Sequence, residues 1–218
     1  MSNGGARRAA ELLKAPPYLI FALPRSRTAW LARFLTYRNW LCLHEHAINL
    51  RSPDQIRQVL TSPRIGAVET AAGPAWRLLR HWIPNLRMAV VRRPLDETIE
   101  AMIAAGERAG ATYDRDALRR VMAYGNRCLD AISEQPGTLT VQYNELAGEE
   151  ACRRIFEFCL PYRFDSEWWE FMRHQHVEVD LKKFFADYWR ERDKVEKFKR
   201  DCKRELIRLV RCGELRYA

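Results

Sequence analysis

The turn at residues 24–28 concentrates groups that bind anions. Its sequence is Pro24-Arg25-Ser26-Arg27-Thr28, which places two guanidinium groups and two hydroxyls side by side. The apolar run before it, Tyr18 to Leu23, predicts a buried strand, and the apolar period that begins at Trp30 predicts a helix. The first N–H groups of a helix lack partners within the helix, and the helix dipole adds partial positive charge there. The stretch therefore predicts an anion-binding site.

Three other polar stretches lie at the ends of predicted strands. His44-Glu45-His46 follows a strand at 41–43, Arg92-Arg93 follows a strand at 86–91, and Tyr143 ends a strand at 138–143. In a parallel sheet, ligands bind beyond the carboxyl ends of the strands. We therefore expect these stretches to share one site with the turn, where a His or Glu could accept a proton and Arg could bind an anion.

The rest of the chain alternates predicted strands with predicted helices. Apolar or β-branched runs predict strands at 18–23, 41–43, 65–70, 86–91 and 138–143. Apolar periods and capping residues predict helices at 6–14, 53–60, 74–82, 95–107, 114–132 and 149–159, and a charged helical region from about 177. The alternation predicts an α/β domain with a parallel central sheet flanked by helices. We expect residues 1–17 to form a polar lead-in and residues 18–218 to form this single domain.

Composition limits the classes of partner. The chain has 218 residues and a net charge of +9, which suits a nucleotide, a nucleic acid or an acidic polymer. Its six Cys show no CxxC pair and no zinc spacing, which predicts reduced thiols in a cytoplasmic protein. No apolar run is long enough for a membrane span, so we expect no membrane partner. No metal site is expected either, since His174 and His176 are interpreted as loop or surface residues.

The turn resembles the 5′-phosphosulfate loop of the sulfotransferase family. Cytosolic members have PKSGTTW at this place, and tyrosylprotein and bacterial members have PRSGT. The chain keeps the Pro, the basic residue, the Ser, the first Thr and the Trp, and it departs at Arg27, where the family has Gly, and at Ala29. The resemblance implies a P-loop-like fold in which Arg25 neutralises donor charge. The backbone from Ser26 through Arg27 and Thr28 to Ala29 would hold the 5′-phosphate.

A second stretch resembles the family's R-x-P-x-D-x-x-x-S signature, whose Arg and Ser hold the 3′-phosphate of the donor. Arg92, Pro94 and Asp96 match it, and Glu100 stands at the Ser position. Arg93 could compensate, because a guanidinium can bind phosphate through two parallel hydrogen bonds.

A third stretch, at 140–146, resembles the YEDL-type strand end of the family, and 156–162 resembles the segment that follows it. In cytosolic members the Tyr of this motif and the Trp of the phosphosulfate loop contact the adenine, which implies this role for Tyr143 and Trp30. Both residues could instead be core aromatics. The resemblance covers about residues 18 to 165.

The resemblance implies that a sulfuryl group passes from 3′-phosphoadenylyl sulfate to a hydroxyl, phenol or amine, leaving 3′,5′-ADP. A general base must take the acceptor proton. Members of the family that use Glu have it soon after the second strand, so Glu45 is the first candidate and His46 or His44 the second. The acceptor could be a small molecule, a polysaccharide or a protein side chain.

Two other functions remain open. In the first, Arg27 and Glu100 mark a decayed donor site, and the chain is a non-catalytic nucleotide- or polyanion-binding module, with nucleic acid as one partner. In the second, the chain is a P-loop-type nucleotide kinase. A kinase is disfavoured because the turn lacks the G-x-x-x-x-G-K-[ST] pattern and an arginine stands where metal-dependent phosphoryl transfer uses Asp.

Overall fold

The computed structural model describes residues 15–46, 53–177, 179 and 181–215, and a five-stranded sheet runs through them. The strands are β1 (Tyr18–Ala22), β2 (Leu41–His44), β3 (Ile65–Glu69), β4 (Arg87–Arg92) and β5 (Leu139–Gln142). Their order is β2-β3-β1-β4-β5, and every neighbouring pair is parallel. The predicted single α/β domain with a parallel sheet is confirmed, and each strand ends within one residue of its predicted bounds.

Helices follow the strands in the described part of the chain. They are α1 (Thr28–Leu35), α2 (Pro53–Thr61), α3 (Trp76–Trp82), α4 (Leu95–Arg108), α5 (Arg115–Ser133), α6 (Glu149–Cys159), α7 (Ser166–Arg173) and α8 (Leu181–Arg211). Short 3₁₀ turns at Gly73–Ala75 and Asn144–Ala147 precede α3 and α6. Helix α7 is absent from the sequence-based expectation, and the predicted helix at 6–14 lies outside the described residues.

β1 forms the centre of the molecule and is buried on both faces. Ile20 packs in one core with residues of α1, α6 and α7, whereas Phe21 packs in the other with residues of α2, α3 and α5. Helices cover both faces of a parallel sheet, so its strands are continuous apolar runs. The continuous apolar run at 18–23 is therefore a clear signal for a strand that is buried on both faces.

The strand order places a crevice above the carboxyl end of β1. The chain leaves β1 for β2 on one side of the sheet, while β4 pairs with β1 on the other side. Ligands of open α/β sheets bind where the strand order reverses in this way. The polar stretches after β1, β2, β4 and β5 therefore meet at one edge of the sheet.

None of the helices within the described ranges is both long and apolar enough to cross a membrane. All six cysteines are free thiols. Cytoplasmic location stays a prediction.

Candidate functional site

A pocket of about 730 Å³ opens at the carboxyl edge of the sheet. Its walls come from the turn after β1, the end of β2, the segments after β3, β4 and β5, helix α4 and the segment after α7. The lining residues that bear on the chemistry are Arg25, Arg27, Thr28, Trp30, His44, Glu45, Thr70, Arg93, Tyr143 and Arg173.

The turn between β1 and α1 has an unusual backbone. Arg25 has φ 64° and Arg27 has φ 58°, so both lie in the left-handed region. That conformation costs an ordinary residue about 1–2 kcal/mol, and glycine adopts it freely. Arg27, which stands where the family has Gly, therefore takes a conformation that favours glycine and directly precedes α1 as its N-cap residue.

Ser26 lies between these two arginines and is fully buried, with no hydrogen-bond partner for its Oγ among the described residues. A buried hydroxyl without a partner is costly unless a ligand or water satisfies it. Curled turns of this kind also aim successive backbone N–H groups into one concavity, which binds anions. The turn therefore combines an unsatisfied donor, backbone N–H groups and the N-terminus of a helix.

Arg93 holds this turn from the neighbouring strand. Its guanidinium donates a hydrogen bond to the carbonyl oxygen of Arg25 and lies 4.3 Å from the centroid of the Tyr143 ring. Arg27 lies 5.7 Å from the centroid of the same ring and donates to the carbonyl oxygen of Leu146 at 3.2 Å. Cation–π contacts thus join β1, β4 and β5 around one aromatic side chain.

Glu45 lies on the other side of the turn, at the end of β2, and its side chain is 11% exposed. Its Oε1 accepts a hydrogen bond of 3.1 Å from the backbone N–H of Thr70, and its Oε2 is buried with no partner among the described residues. Burial raises the pKa of this carboxyl, while the hydrogen bond from Thr70 acts in the opposite direction. A pocket carboxylate with one unengaged oxygen is suited to accept a proton.

His44 is the second proton acceptor at the pocket. Its Nε2 lies 3.1 Å from Thr28 Oγ1 and 4.0 Å from Glu45 Oε1. Burial lowers the pKa of His44 to about 4, so the imidazole is neutral at physiological pH. His46 follows within the described residues, but it does not line the pocket.

Trp30 lines the pocket while being only 9% exposed. Its Nε1–H donates a buried hydrogen bond of 2.8 Å to the carbonyl oxygen of Met172, and its ring stacks on Phe34 with centroids 5.1 Å apart. One edge of the indole is therefore open to a ligand, and the rest of the side chain belongs to the core.

Arg92 and Glu100 lie outside the pocket lining. The Arg92 guanidinium points to α5, where Nη2 lies 2.5 Å from Asp130 Oδ1 and Nη1 donates to the carbonyl oxygen of Asn126 at 3.3 Å. Glu100 is bound by both terminal nitrogens of Arg115. The structure thus brings the turn, Arg93 and Glu45 together, but it does not bring Arg92 to them.

Several lining residues were not identified from the sequence. Thr70 contributes hydrogen bonds from its backbone N–H and its side chain to Glu45, a contact between two strand ends that the sequence does not report. Arg173 ends α7, and Gln175 and His176 follow it; the sequence predicts only a loop or surface position for His176. The available signal was the N-cap Asp165, whose side chain accepts from the N–H of Trp168 and begins the unpredicted helix.

The lining carries an excess of positive charge. Among the lining residues that the structure describes, four are arginines (Arg25, Arg27, Arg93 and Arg173) and one, Glu45, is acidic. No group of three or more His, Cys, Asp or Glu suited to a metal ion occurs in the part of the chain that the structure describes. The pocket is therefore built to bind an anionic ligand close to one buried carboxylate.

No protein-family model and no curated protein matches the sequence. Solved structures of sulfotransferases do match the fold. The sulfotransferase domain from the curacin biosynthetic pathway superposes with a TM-score of 0.54 at 13% identity, over 75% of this chain and 79% of that one. Mouse sulfotransferase SULT7A1, solved in complex with PAP, gives 0.51 at 13% identity over 77% and 70% of the two chains.

A sulfotransferase from Alicyclobacillus acidocaldarius gives a TM-score of 0.51 at 14% identity, over 84% of this chain and 95% of that one. These similarities show that the chain has the sulfotransferase fold, as the resemblance of its motifs predicts. At such identity the likeness concerns the fold alone.

Proposed function

We propose that the chain is a sulfotransferase that moves a sulfuryl group from 3′-phosphoadenylyl sulfate to a hydroxyl, phenol or amine acceptor. The observation that carries the proposal is the buried, unpartnered Ser26 Oγ between two left-handed arginines at the start of α1. The sulfotransferase fold and the adjacent buried Glu45 support it.

In this proposal the phosphosulfate group binds to the turn. Ser26 Oγ and the N–H groups at the start of α1 donate to its 5′-phosphate oxygens, and Arg25 neutralises charge that develops on the leaving phosphate. Arg93 and Arg27 fix the turn through Tyr143. The open edge of Trp30 and the Tyr143 ring lie within the same pocket, where the adenine would bind.

Glu45 acts as the general base. The acceptor oxygen or nitrogen attacks sulfur, the bond between sulfur and the phosphate oxygen breaks, and Oε2 of Glu45 takes the acceptor proton. Burial raises the pKa of this carboxyl and so strengthens it as a base. His44, kept neutral by burial, is the alternative acceptor and His46 the more distant one.

A non-catalytic nucleotide- or polyanion-binding module is the second candidate, because α8 carries most of the excess positive charge and none of its described side chains lines the pocket. A kinase is the third, and the arginine at the end of β4 disfavours it.

A thermal-shift comparison tests the proposal. 3′,5′-ADP should stabilise the protein, by about 2.7 kcal/mol at a hundred times its Kd, whereas ATP and duplex DNA should stabilise it less. Arg25→Ala should abolish this shift and lower kcat about 10²–10³-fold, because it removes charge stabilisation of the leaving phosphate.

Arg33→Ala is the matched control, since Arg33 is an exposed arginine of α1 that does not line this pocket. An equal response to 3′,5′-ADP in the unmodified protein and Arg25→Ala would remove the turn from the donor site. A strong shift with ATP that requires Mg²⁺ would favour the kinase.

A further inference from the structure

Arg92 is already occupied by the protein's own carboxylate. By resemblance, Arg92 and the residue at position 100 would hold a 3′-phosphate. In the structure, Asp130 of α5 lies 2.5 Å from Arg92 Nη2, and the Asn126 carbonyl oxygen accepts from Nη1 at 3.3 Å. A 3′-phosphate at this guanidinium would compete with both contacts, and Asp130 would lie beside the incoming dianion.

The second residue of the resembling motif, on α4, is also unsuited to hold a phosphate. Glu100 replaces the hydroxyl of the resembling motif and is engaged by Arg115, whose Nη2 lies 2.9 Å from Oε2. The hydrogen bond from Arg115 lowers the pKa of Glu100, so this side chain is ionised at neutral pH. An ionised carboxylate has no hydrogen to donate to a phosphate, unlike the Ser hydroxyl of the resembling motif, and Arg115 engages both of its oxygens.

The wall that α4 contributes to the pocket is apolar. Ala101 and Met102 line it, whereas Arg92 and Glu100 do not. Three of the four arginines that line the pocket lie in the turn or directly after β4, and the fourth, Arg173 at the end of α7, pairs with Glu170. Recognition of negative charge is therefore concentrated at the phosphosulfate end of the pocket.

We propose that the donor site does not select for a 3′-phosphate, so that adenylyl sulfate without this group is as good a donor as 3′-phosphoadenylyl sulfate. The proposal rests on the proposed function. The acceptor attacks sulfur, the bond from sulfur to the 5′-phosphate oxygen breaks, 5′-AMP leaves and Glu45 takes the acceptor proton. Asp130 is the positioning residue, because it holds Arg92 away from the pocket.

Calorimetric titration with the two products measures the selectivity without turnover. In the unmodified protein, the Kd values of 3′,5′-ADP and 5′-AMP should agree within about fivefold, since a screened charge pair contributes little more. Asp130→Asn keeps the size of the side chain and releases the Arg92 guanidinium. The substitution should lower the Kd of 3′,5′-ADP about tenfold, because a new hydrogen bond to a charged group contributes about that much. The Kd of 5′-AMP should not change.

Two variants separate positioning from structure. Asp130→Glu keeps the carboxylate and should keep the low selectivity, whereas Asp116→Asn removes a charge from the same helix and should change neither Kd. The ratio of the two Kd values is the readout, because a general loss of stability would move both together.

A preference of well over tenfold for 3′,5′-ADP in the unmodified protein, lost in Arg92→Ala, would overturn the inference and leave the proposed function intact. An unchanged ratio in a folded Asp130→Asn protein would also overturn it. If neither nucleotide binds, the proposed function fails and this inference fails with it.

Discussion

Two side chains of the pocket are candidates for the general base, and burial shifts their pKa values in opposite directions. Desolvation raises the pKa of Glu45 above the ordinary 4.5 of a glutamate, whereas it lowers the pKa of His44 from 6.5 to about 4. Each group accepts a proton only when it is unprotonated. The two candidates therefore predict different acidic limbs in a pH–rate profile.

We expect kcat/KM to rise with pH through a limb that lies above 4.5, because Glu45 must ionise before it can act. Glu45→Gln should remove this limb and lower kcat about 10²–10⁴-fold. A raised folded-state pKa also means that the free energy of unfolding falls as pH rises through that pKa, so Glu45→Gln should raise Tm at pH 8.

Rate profiles of the unmodified protein, Glu45→Gln and His44→Asn, with donor affinity as the control, decide between the two. A limb near pH 4 that disappears in His44→Asn would assign the proton transfer to His44. Full kcat in both variants would place the base outside this pair.

At the residue scale, the sequence predicted that the polar strand ends meet at one edge of the sheet, but not how each side chain is oriented. Glu45 and Arg93 could be placed because the ends of parallel strands share one edge. The direction of Arg92 could not, because it depends on Asp130, a residue 38 positions later on α5. Backbone conformation was also hidden, since nothing in the residue type of Arg25 or Arg27 predicts a positive φ.

Helix α7 is the element that the sequence did not predict, and it shapes one wall of the pocket. Two indoles tie it to α1: Trp30 Nε1 donates to the Met172 carbonyl oxygen at 2.8 Å, and Trp168 Nε1 donates to the Phe34 carbonyl oxygen at 2.9 Å. Its eight residues are too few to give a clear helical period, and contacts with α1 supply the rest of its stability. The strands and the longer helices could be predicted from their own apolar patterns.

The two indoles form a matched pair for mutation. Trp30→Phe and Trp168→Phe each remove one hydrogen bond between α1 and α7, so each should lower the free energy of unfolding by about 1 kcal/mol. Trp30 lines the main pocket and Trp168 does not. We therefore expect only Trp30→Phe to weaken the binding of 3′,5′-ADP. Calorimetry measures the affinity, and denaturant unfolding measures the stability of each variant.

Equal loss of affinity in both variants would mean that the spacing of α1 and α7, and not contact with the indole, controls nucleotide binding. Unchanged affinity in both would remove Trp30 from the adenine site.

Across the whole molecule, positive charge is divided between the pocket and α8. Helix α8 contains 12 Lys and Arg and 6 Asp and Glu, so it carries +6 of the net +9. Leu209 is buried, and Phe198 packs against the core formed with α2, α3 and α5. Carboxylates of α8 pair with the basic residue three positions later, in Glu196–Lys199, Asp201–Arg204 and Glu205–Arg208.

The exposed cations of α8 without a carboxylate partner among the described residues include Lys197, Arg200 and Lys203. They follow one another at three-residue steps, so they lie on neighbouring turns of one side of the helix. None of the α8 residues whose side chains the structure describes lines the pocket. Donor binding therefore does not account for all of the net positive charge of the chain. Mutations in α8 and in the pocket can test the two positive regions separately.

We expect duplex DNA to bind weakly, with a Kd of about 10⁻⁴–10⁻⁶ M, through α8 and not through the pocket. Replacing Lys197, Arg200 and Lys203 together by Ala should weaken this binding and reduce the salt slope of log K by up to about 2.7, or 0.9 for each lost phosphate contact. The affinity for 3′,5′-ADP should not change. Fluorescence anisotropy of a labelled duplex across a salt series measures DNA binding, and calorimetry measures the affinity for 3′,5′-ADP.

Arg25→Ala is the reciprocal control and should weaken only the binding of the nucleotide. If Arg25→Ala weakened DNA as strongly as the α8 variant, the pocket itself would be a polyanion site, and the non-catalytic binding module would become the better account of this chain.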